Sequence, residues 1–172
     1  MKVDIVIIGA GAAGLMCGLT AGGRGRKAVI IDHAKKTAEK IRISGGGRCN
    51  FTNMFASPAQ FLSMNKHFCK SALSRFTQDD FVAMMQKHQI AFHEKKLGQL
   101  FCDHSAQDVI DMLLQECAAV DADVMMQTAI EQVQISEAGG YVVTTRRDGR
   151  HTDIQCESLV VASGGLSIPK IG

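Results

Sequence analysis

Aromatic residues make up only 5% of the 172-residue chain, which leaves few rings on which nucleic-acid bases could stack. Neither sign of charge dominates, with 19 Lys plus Arg against 17 Asp plus Glu, so net charge points to neither a nucleic acid nor a membrane surface. The basic cluster Arg24, Arg26, Lys27, Lys35, Lys36, Lys40 and Arg42 is interleaved with acids and reads as a solvated helix end plus a phosphate-facing loop. A small molecule is the expected partner, with no nucleic acid and no membrane; oligomeric state is left open. The six cysteines include no CxxC pair and no close Cys/His set of the kind zinc requires. Cys49 has no second cysteine nearby to resolve a disulfide and is expected to be a packed thiol. The six histidines are scattered at spacings that dictate no triad. No apolar run is long enough to span a bilayer, and the first residues lack a cleavage-site pattern, so a cytoplasmic protein is expected. Internal repeats and low-complexity tracts are absent as well.

What the chain does contain begins at its start. Val3 to Ile8 is an aliphatic run broken only by Asp4, close to the pattern of a strand buried on both faces in a parallel sheet. The turn Gly9-Ala10-Gly11-Ala12-Ala13-Gly14 follows, then a helix over 12–21 on which Gly14 and Gly18 share a face and leave room for close packing. A second aliphatic run, Ala28 to Ile31, ends at Asp32, completing a βαβ unit over 3–32. In that context Gly9 permits the sharp turn, Gly11 lets backbone approach a pyrophosphate, and Gly14 allows close packing, while Ala12 and Ala13 open a helix with free N–H groups. Asp32, 18 residues beyond Gly14, stands where a carboxylate accepts hydrogen bonds from an adenosine ribose and repels a 2′-phosphate. These features define a dinucleotide site without separating FAD from NAD.

Residues 33–57 read as an irregular segment with a task. Two helices then start at capping patterns, Thr77 with Asp80 and Ser105 with Asp108. Val109, Ile110, Leu113, Leu114 and Cys117 form the apolar stripe of the second. The nine methionines read as gap-filling core. From Ala122 the pattern turns to short β runs, 122–126, 129–135, 141–146 and 151–155, with Asp148-Gly149 as a tight hairpin turn. Leu159 to Ala162 returns to the buried aliphatic style, and Ser163-Gly164-Gly165 breaks it.

The stretch Ser44-Gly45-Gly46-Gly47-Arg48-Cys49-Asn50-Phe51-Thr52-Asn53 resembles the SGGGRCNxTN signature of the BaiN-like, YhiN-type flavoprotein family of NAD(P)/FAD-dependent oxidoreductases, most closely its enterobacterial branch. The resemblance continues at Leu97 to Cys102 and at Ala162 to Pro169, and covers the whole chain. Two departures are a serine at position 163 where threonine is usual, and Glu39-Lys40 where a basic pair is usual.

The resemblance implies an α/β fold: a Rossmann-like FAD-binding parallel sheet of the two-dinucleotide-binding type with a small antiparallel β-meander. Residues 1–172 would form the N-terminal part of that domain, with the ADP-binding unit at 3–32, a flavin-side loop and helical segment at 33–121, a third strand and meander at 122–155, and a return strand at 158–165. It further implies that FAD is held at its pyrophosphate by Gly9, Gly11, Ala12, Ala13 and Gly14, and at its ribose by Asp32. Lys40, Ser44, Gly46, Gly47, Arg48, Ser163 and Gly164 would border the pyrophosphate and flavin, and backbone near Ile130 would meet the adenine. Family members continue into an inserted substrate-side domain and a final segment. The isolated chain is therefore expected to be truncated, with an uncovered sheet edge, poor solubility or weak FAD binding. The activity implied is flavin-dependent hydride or electron transfer from NADH or NADPH to a small organic substrate, in some members a steroid-like one. The alternative is a non-catalytic dinucleotide-binding module that depends on a partner chain. Neither reading names a catalytic acid or base.

Overall fold

In the computed structural model residues 1–165 are described. The elements run β1 (Lys2–Ile8), α1 (Ala12–Gly22), β2 (Ala28–Ile31), α2 (Glu39–Ile43), β3 (Asn50–Asn53), α3 (Lys70–Arg75), α4 (Gln78–Lys87), β4 (Phe92–Glu94), β5 (Gln99–Cys102), α5 (Ala106–Ala119), β6 (Asp123–Met125), β7 (Ala129–Ile135), β8 (Tyr141–Arg147) and β9 (Arg150–Val161). Short 3-10 turns occupy Ser44–Gly47 and Pro58–Gln60. The chain divides into two units, Met1–Lys40 with the chain from Leu113 onward, and Ile41–Met112.

The first unit is built on a six-stranded sheet ordered β6-β2-β1-β9-β8-β7. β6, β2, β1 and β9 are mutually parallel, and β8 and β7 are added antiparallel. Every residue of β2 is buried, as its unbroken aliphatic sequence requires in a sheet covered on both faces. Val3, Val6, Val29, Ile31, Val143, Ile154 and Cys156 make one core, with Met125, Ile130, Tyr141 and Leu159 packed against it. On α1, a Cβ at Gly18 would lie 2.5 Å from Ile30 Cδ1 and one at Gly22 2.5 Å from Val120 Cγ2. The bare face of this helix thus presses against its neighbours, as the spacing of Gly14 and Gly18 predicts.

One expectation is corrected here. The runs at 151–155 and 159–162 are a single strand, β9, whose first part pairs antiparallel with β8 and whose last part pairs parallel with β1. Gln155 and Cys156 pair on both sides, so no break separates meander from return strand. The polar alternation of Asp153, Gln155 and Glu157 marks where only one face is covered; it is no sign of a strand ending. Beyond Cys156 the side of β9 away from β1 has no partner strand among the described residues. The β8–β9 hairpin closes through Asp148 and Gly149, with φ of 50° and 74°, the type I′ geometry this dipeptide favours.

The second unit holds a three-stranded antiparallel sheet, β3-β5-β4. β3, with α2 and the turn between them, replaces much of the irregular structure expected over 33–57; a four-residue strand is too short to show a period. Phe51 packs with Phe81 and Phe92 at ring-centroid distances of 5.7 and 5.5 Å. α4 starts as its sequence indicates: Thr77 Oγ1 accepts from the Asp80 N–H at 3.2 Å, and the Asp80 carboxylate accepts from the Thr77 N–H at 2.7 Å. That second bond holds the Asp80 carboxyl below its usual range. At α5 the Ser105 N–H donates to Asp108 at 3.3 Å, and Ser105 Oγ accepts from the Gln107 N–H. Of the expected α5 stripe, Val109, Ile110, Leu113 and Cys117 are buried and Leu114 is half-buried, and Met112, outside the stripe, is buried as well.

Candidate functional site

Ten of the sequence-selected residues lie in the first unit, nine of them around the C-terminal ends of β1, β2 and β9 or in the segments tied to those ends, and Ile130 near the start of the edge strand β7. Gly9 has φ of 107°, and a Cβ there would stand 2.5 Å from the Ala162 carbonyl oxygen. Backbone conformation and backbone crowding therefore each require glycine at this position. A Cβ on Gly14 would fall 1.8 Å from the Gly9 carbonyl oxygen, so α1 can start this close to β1 only without a side chain.

Gly11 is different. Its φ of −83° and ψ of −172° suit any residue, and a Cβ there would meet nothing within 4 Å. Neither conformation nor internal packing calls for glycine, and the half-open space beside it is where an outside group would come close. No side chain caps α1, whose first helical bond is from the Leu15 N–H to the Gly11 carbonyl at 3.0 Å. The N–H groups of Ala12, Ala13 and Gly14 thus have no intrahelical acceptor. Ala12 and Ala13 are exposed. Open space, free N–H groups and the positive helix end together fit a pyrophosphate.

Asp32 braces this turn. One carboxylate oxygen accepts from the Ala10 N–H at 2.8 Å and the other from the Ala34 N–H at 2.9 Å. Nδ1 of the exposed His33 lies 3.6 Å from the same carboxylate. A carboxylate has about four acceptor positions, so two N–H bonds leave capacity for ribose hydroxyls. The Thr128 N–H donates to the Asp32 carbonyl and the Gln127 N–H to the Ala34 carbonyl, at 2.9 and 3.1 Å. The β6–β7 connection therefore crosses the end of β2, and Ile130 stands two residues further on, in an edge strand. Lys40 Nζ donates to the Gly165 carbonyl at 2.6 Å and would touch a Cβ on Gly164 at 3.2 Å. Ser163 and Gly164 are exposed, and Gly164 has φ of 88°.

Ser44, Gly46, Gly47 and Arg48 belong to the second unit. Gly45, Gly46 and Gly47 all have positive φ, and a Cβ on Gly46 or Gly47 would meet nothing within 4 Å. Ser44 closes the loop by accepting from the Cys49 N–H at its carbonyl and from the Asn50 N–H at Oγ, at 3.0 and 3.2 Å. The Arg48 side chain is exposed. Cys49 is buried, and burial pushes its thiol up to about 11, which agrees with a packed, unreactive sulfur.

Sequence reading missed the backbone partners Ala10, Ala34 and Gly165. Their side chains carry no signal, and the Lys40–Gly165 contact joins positions 125 residues apart. The resembling segment Leu166 to Pro169 lies outside the described residues. Among the described residues no group of His, Cys, Asp and Glu is arranged to hold a metal, and no helix is long and apolar enough to cross a membrane.

A parallel sheet with a glycine turn at its first βα junction defines a Rossmann-like dinucleotide-binding protein. The chain belongs to the HI0933-like family, matching the HI0933-like protein Rossmann domain over residues 3–172. It is 49% identical over 171 residues to ribosomal RNA dihydrouridine synthase of Escherichia coli strain K12, covering 99% of this chain and 42% of that protein. It is 23% identical to 3-dehydro-bile acid delta(4,6)-reductase of Clostridium scindens, covering 98% and 40%. The chain thus spans about two fifths of the length of these relatives. Sdh1 of Mycobacterium smegmatis in complex with UQ1 shares the fold at a TM-score of 0.70 and 19% identity, over 96% of this chain and 34% of that one. The flavoprotein-type family is as the resemblance implied, but its BaiN-like label is not supported: at 23% against 49% identity, the bile acid reductase is the more distant of these two relatives.

Proposed function

We propose that the chain is the FAD-holding Rossmann portion of a flavin-dependent oxidoreductase that reduces uridine to dihydrouridine in ribosomal RNA. The observation that carries the dinucleotide site is Gly11, a glycine that nothing inside the protein requires, beside an uncapped helix start; the choice of FAD over NAD rests on membership of the family. The substrate assignment rests on 49% identity to a protein of that name. FAD bound here would supply a two-electron carrier between a nicotinamide donor, NADH or NADPH, and a ring C=C bond. The chain's own part is to bind and orient. The free N–H groups of Ala12, Ala13 and Gly14 receive the pyrophosphate, the remaining acceptor positions of Asp32 receive the ribose, and backbone near Ile130 meets the adenine. Lys40 holds the Ser163–Gly165 segment in place. Ser44, Gly46, Gly47 and Arg48 are assigned to the flavin side on the family resemblance alone.

This reading departs from the expectation of a small-molecule substrate without nucleic acid, which rested on whole-chain composition. The expected cytoplasmic location is compatible with such a substrate. The test is to purify the chain, titrate it with FAD, and follow flavin bleaching by NADH or NADPH with and without ribosomal RNA. Saturable FAD binding and dihydrouridine in the RNA support the proposal; a chain that takes up no FAD refutes it. A second reading, a non-catalytic module working through a partner chain, is favoured by the side of Ser158–Val161 on β9 that has no partner strand among the described residues, where Val161 is 71% exposed. A chain that binds FAD but transfers no hydride until a second polypeptide is added would select it.

A further inference from the structure

Residues 40–78 contain no Asp or Glu, yet hold six of the chain's Lys and Arg and five of its eight Phe. Within this stretch, and inside the second unit, the segment 59–76 is exposed at every position except Cys69 and Leu73. Local bonds hold its shape: Asn65 Oδ1 accepts from the His67 N–H at 3.0 Å, and the Phe68 N–H donates to the Asn65 carbonyl. The large side chains are left outside. Phe61 is 48% and Phe68 80% exposed, and neither ring packs on another aromatic ring among the described residues. Met64, expected to fill core, is fully exposed. Lys66, Lys70 and Arg75 are exposed and form no ion pair among the described residues.

We infer that this face docks single-stranded RNA, with Lys66, Lys70 and Arg75 against phosphates and Phe61 and Phe68 stacking on bases. The inference rests on the RNA-reductase reading above and assigns its substrate a surface. A solvated basic face explains exposed lysines but leaves two bare phenyl rings without a role. A polypeptide partner explains the rings but not the absence of every acid over 39 residues. Cations interleaved with unstacked rings satisfy the two demands of single-stranded nucleic acid together, a neutralised backbone and a platform for its bases. Such bases must be unpaired, because a duplex hides their faces.

The experiment uses the FAD-loaded chain and the fluorescence anisotropy of a labelled oligoribonucleotide of about 20 nucleotides, single-stranded or annealed to its complement. The wild type is expected to prefer the single strand. K66E/K70E/R75E should weaken binding at least tenfold and reduce the salt slope by about 2, at roughly 0.7 per cation. F61A/F68A should weaken binding about tenfold with the slope unchanged. R24E/R26E/K27E, an equal charge reversal in the first unit, should stay within about twofold of wild type. Circular dichroism checks that each variant is folded. RNA binding that ignores both surface variants, or falls equally with the control, overturns the surface alone. A flavin-loaded wild type that binds no RNA overturns the surface and the RNA substrate together, leaving the flavoprotein reading in place. Unchanged RNA affinity with an altered mass in light scattering for F61A/F68A would make the patch a protein interface and sink the inference.

Discussion

Replacing Gly11 by alanine separates a structural glycine from one kept for a ligand. The backbone there, φ −83° and ψ −172°, admits alanine without strain, and the new methyl meets no protein atom within 4 Å. Two small effects on stability then oppose each other. Alanine restricts the unfolded chain, worth about 0.4–1 kcal/mol in favour of folding. Gly11 is also the N-cap of α1, a position where alanine is poorer than glycine by roughly 0.5–1 kcal/mol. The net should lie within about 0.5 kcal/mol of zero, or about 2 °C in melting temperature for a chain of this size. FAD affinity should behave otherwise, because the methyl occupies the space into which a pyrophosphate must come to reach the helix N–H groups. A loss of at least about tenfold, roughly 1.4 kcal/mol, is expected. The assays are thermal unfolding of the flavin-free chain and flavin fluorescence titration. A G11A chain that binds FAD like wild type, or melts many degrees lower without flavin, would refute the assignment of that space to the cofactor.

G14A should behave in the opposite sense, because its Cβ would overlap the Gly9 carbonyl oxygen at 1.8 Å; a loss of about 3 kcal/mol or more in urea unfolding is expected before any ligand is added. D32N turns one acceptor into a donor facing a backbone N–H, of Ala10 or Ala34, and should cost roughly 1.5–3 kcal/mol of stability along with FAD affinity, read by the same two assays. Burial raises the thiols of Cys49, Cys102 and Cys117 from 9.0 to about 11, 12 and 11. An acid whose folded pKa is raised stabilises fully below its unfolded pKa, so this contribution is intact below pH 9 and is lost as pH climbs towards 11. Urea midpoints at pH 8, 9 and 10 should fall over the last interval, and these three thiols should resist alkylation at pH 8 until the chain unfolds; rapid labelling of Cys49 in the folded chain would contradict its packed environment.

The parts of the fold legible in the sequence are those where local chemistry and tertiary demand agree. β1, α1 and β2 were readable because a nearly unbroken aliphatic run, a glycine face and a second aliphatic run describe buried parallel packing on their own terms. The Asp148-Gly149 turn and the Thr77 and Ser105 helix starts were readable because each is closed by residues within four positions. Illegible were features made by distant backbone. The Ala10 and Ala34 N–H groups that hold Asp32 have no side-chain signature, and the passage of Ala162 over Gly9 joins the two ends of the described chain. Strands as short as β4, with three residues, fall below any detectable period.

If the substrate is ribosomal RNA as proposed, whole-chain charge misleads for a different reason, namely averaging. Nineteen basic and 17 acidic residues nearly cancel over the chain, and that balance argued against a nucleic-acid partner. Electrostatic attraction, however, acts over about a Debye length, roughly 8–10 Å. What a ligand meets is the charge of one face. With six Lys and Arg and no acid from 40 to 78, one stretch of the chain departs from the mean far more than the mean departs from zero. The same averaging applies to aromatics: 5% is a low content, but two exposed phenyl rings among cations that form no ion pair among the described residues matter more for stacking than many buried in a core. If K66E/K70E/R75E and the control R24E/R26E/K27E weaken RNA binding to the same extent, only total charge matters, and the distinction between local and mean composition fails with it.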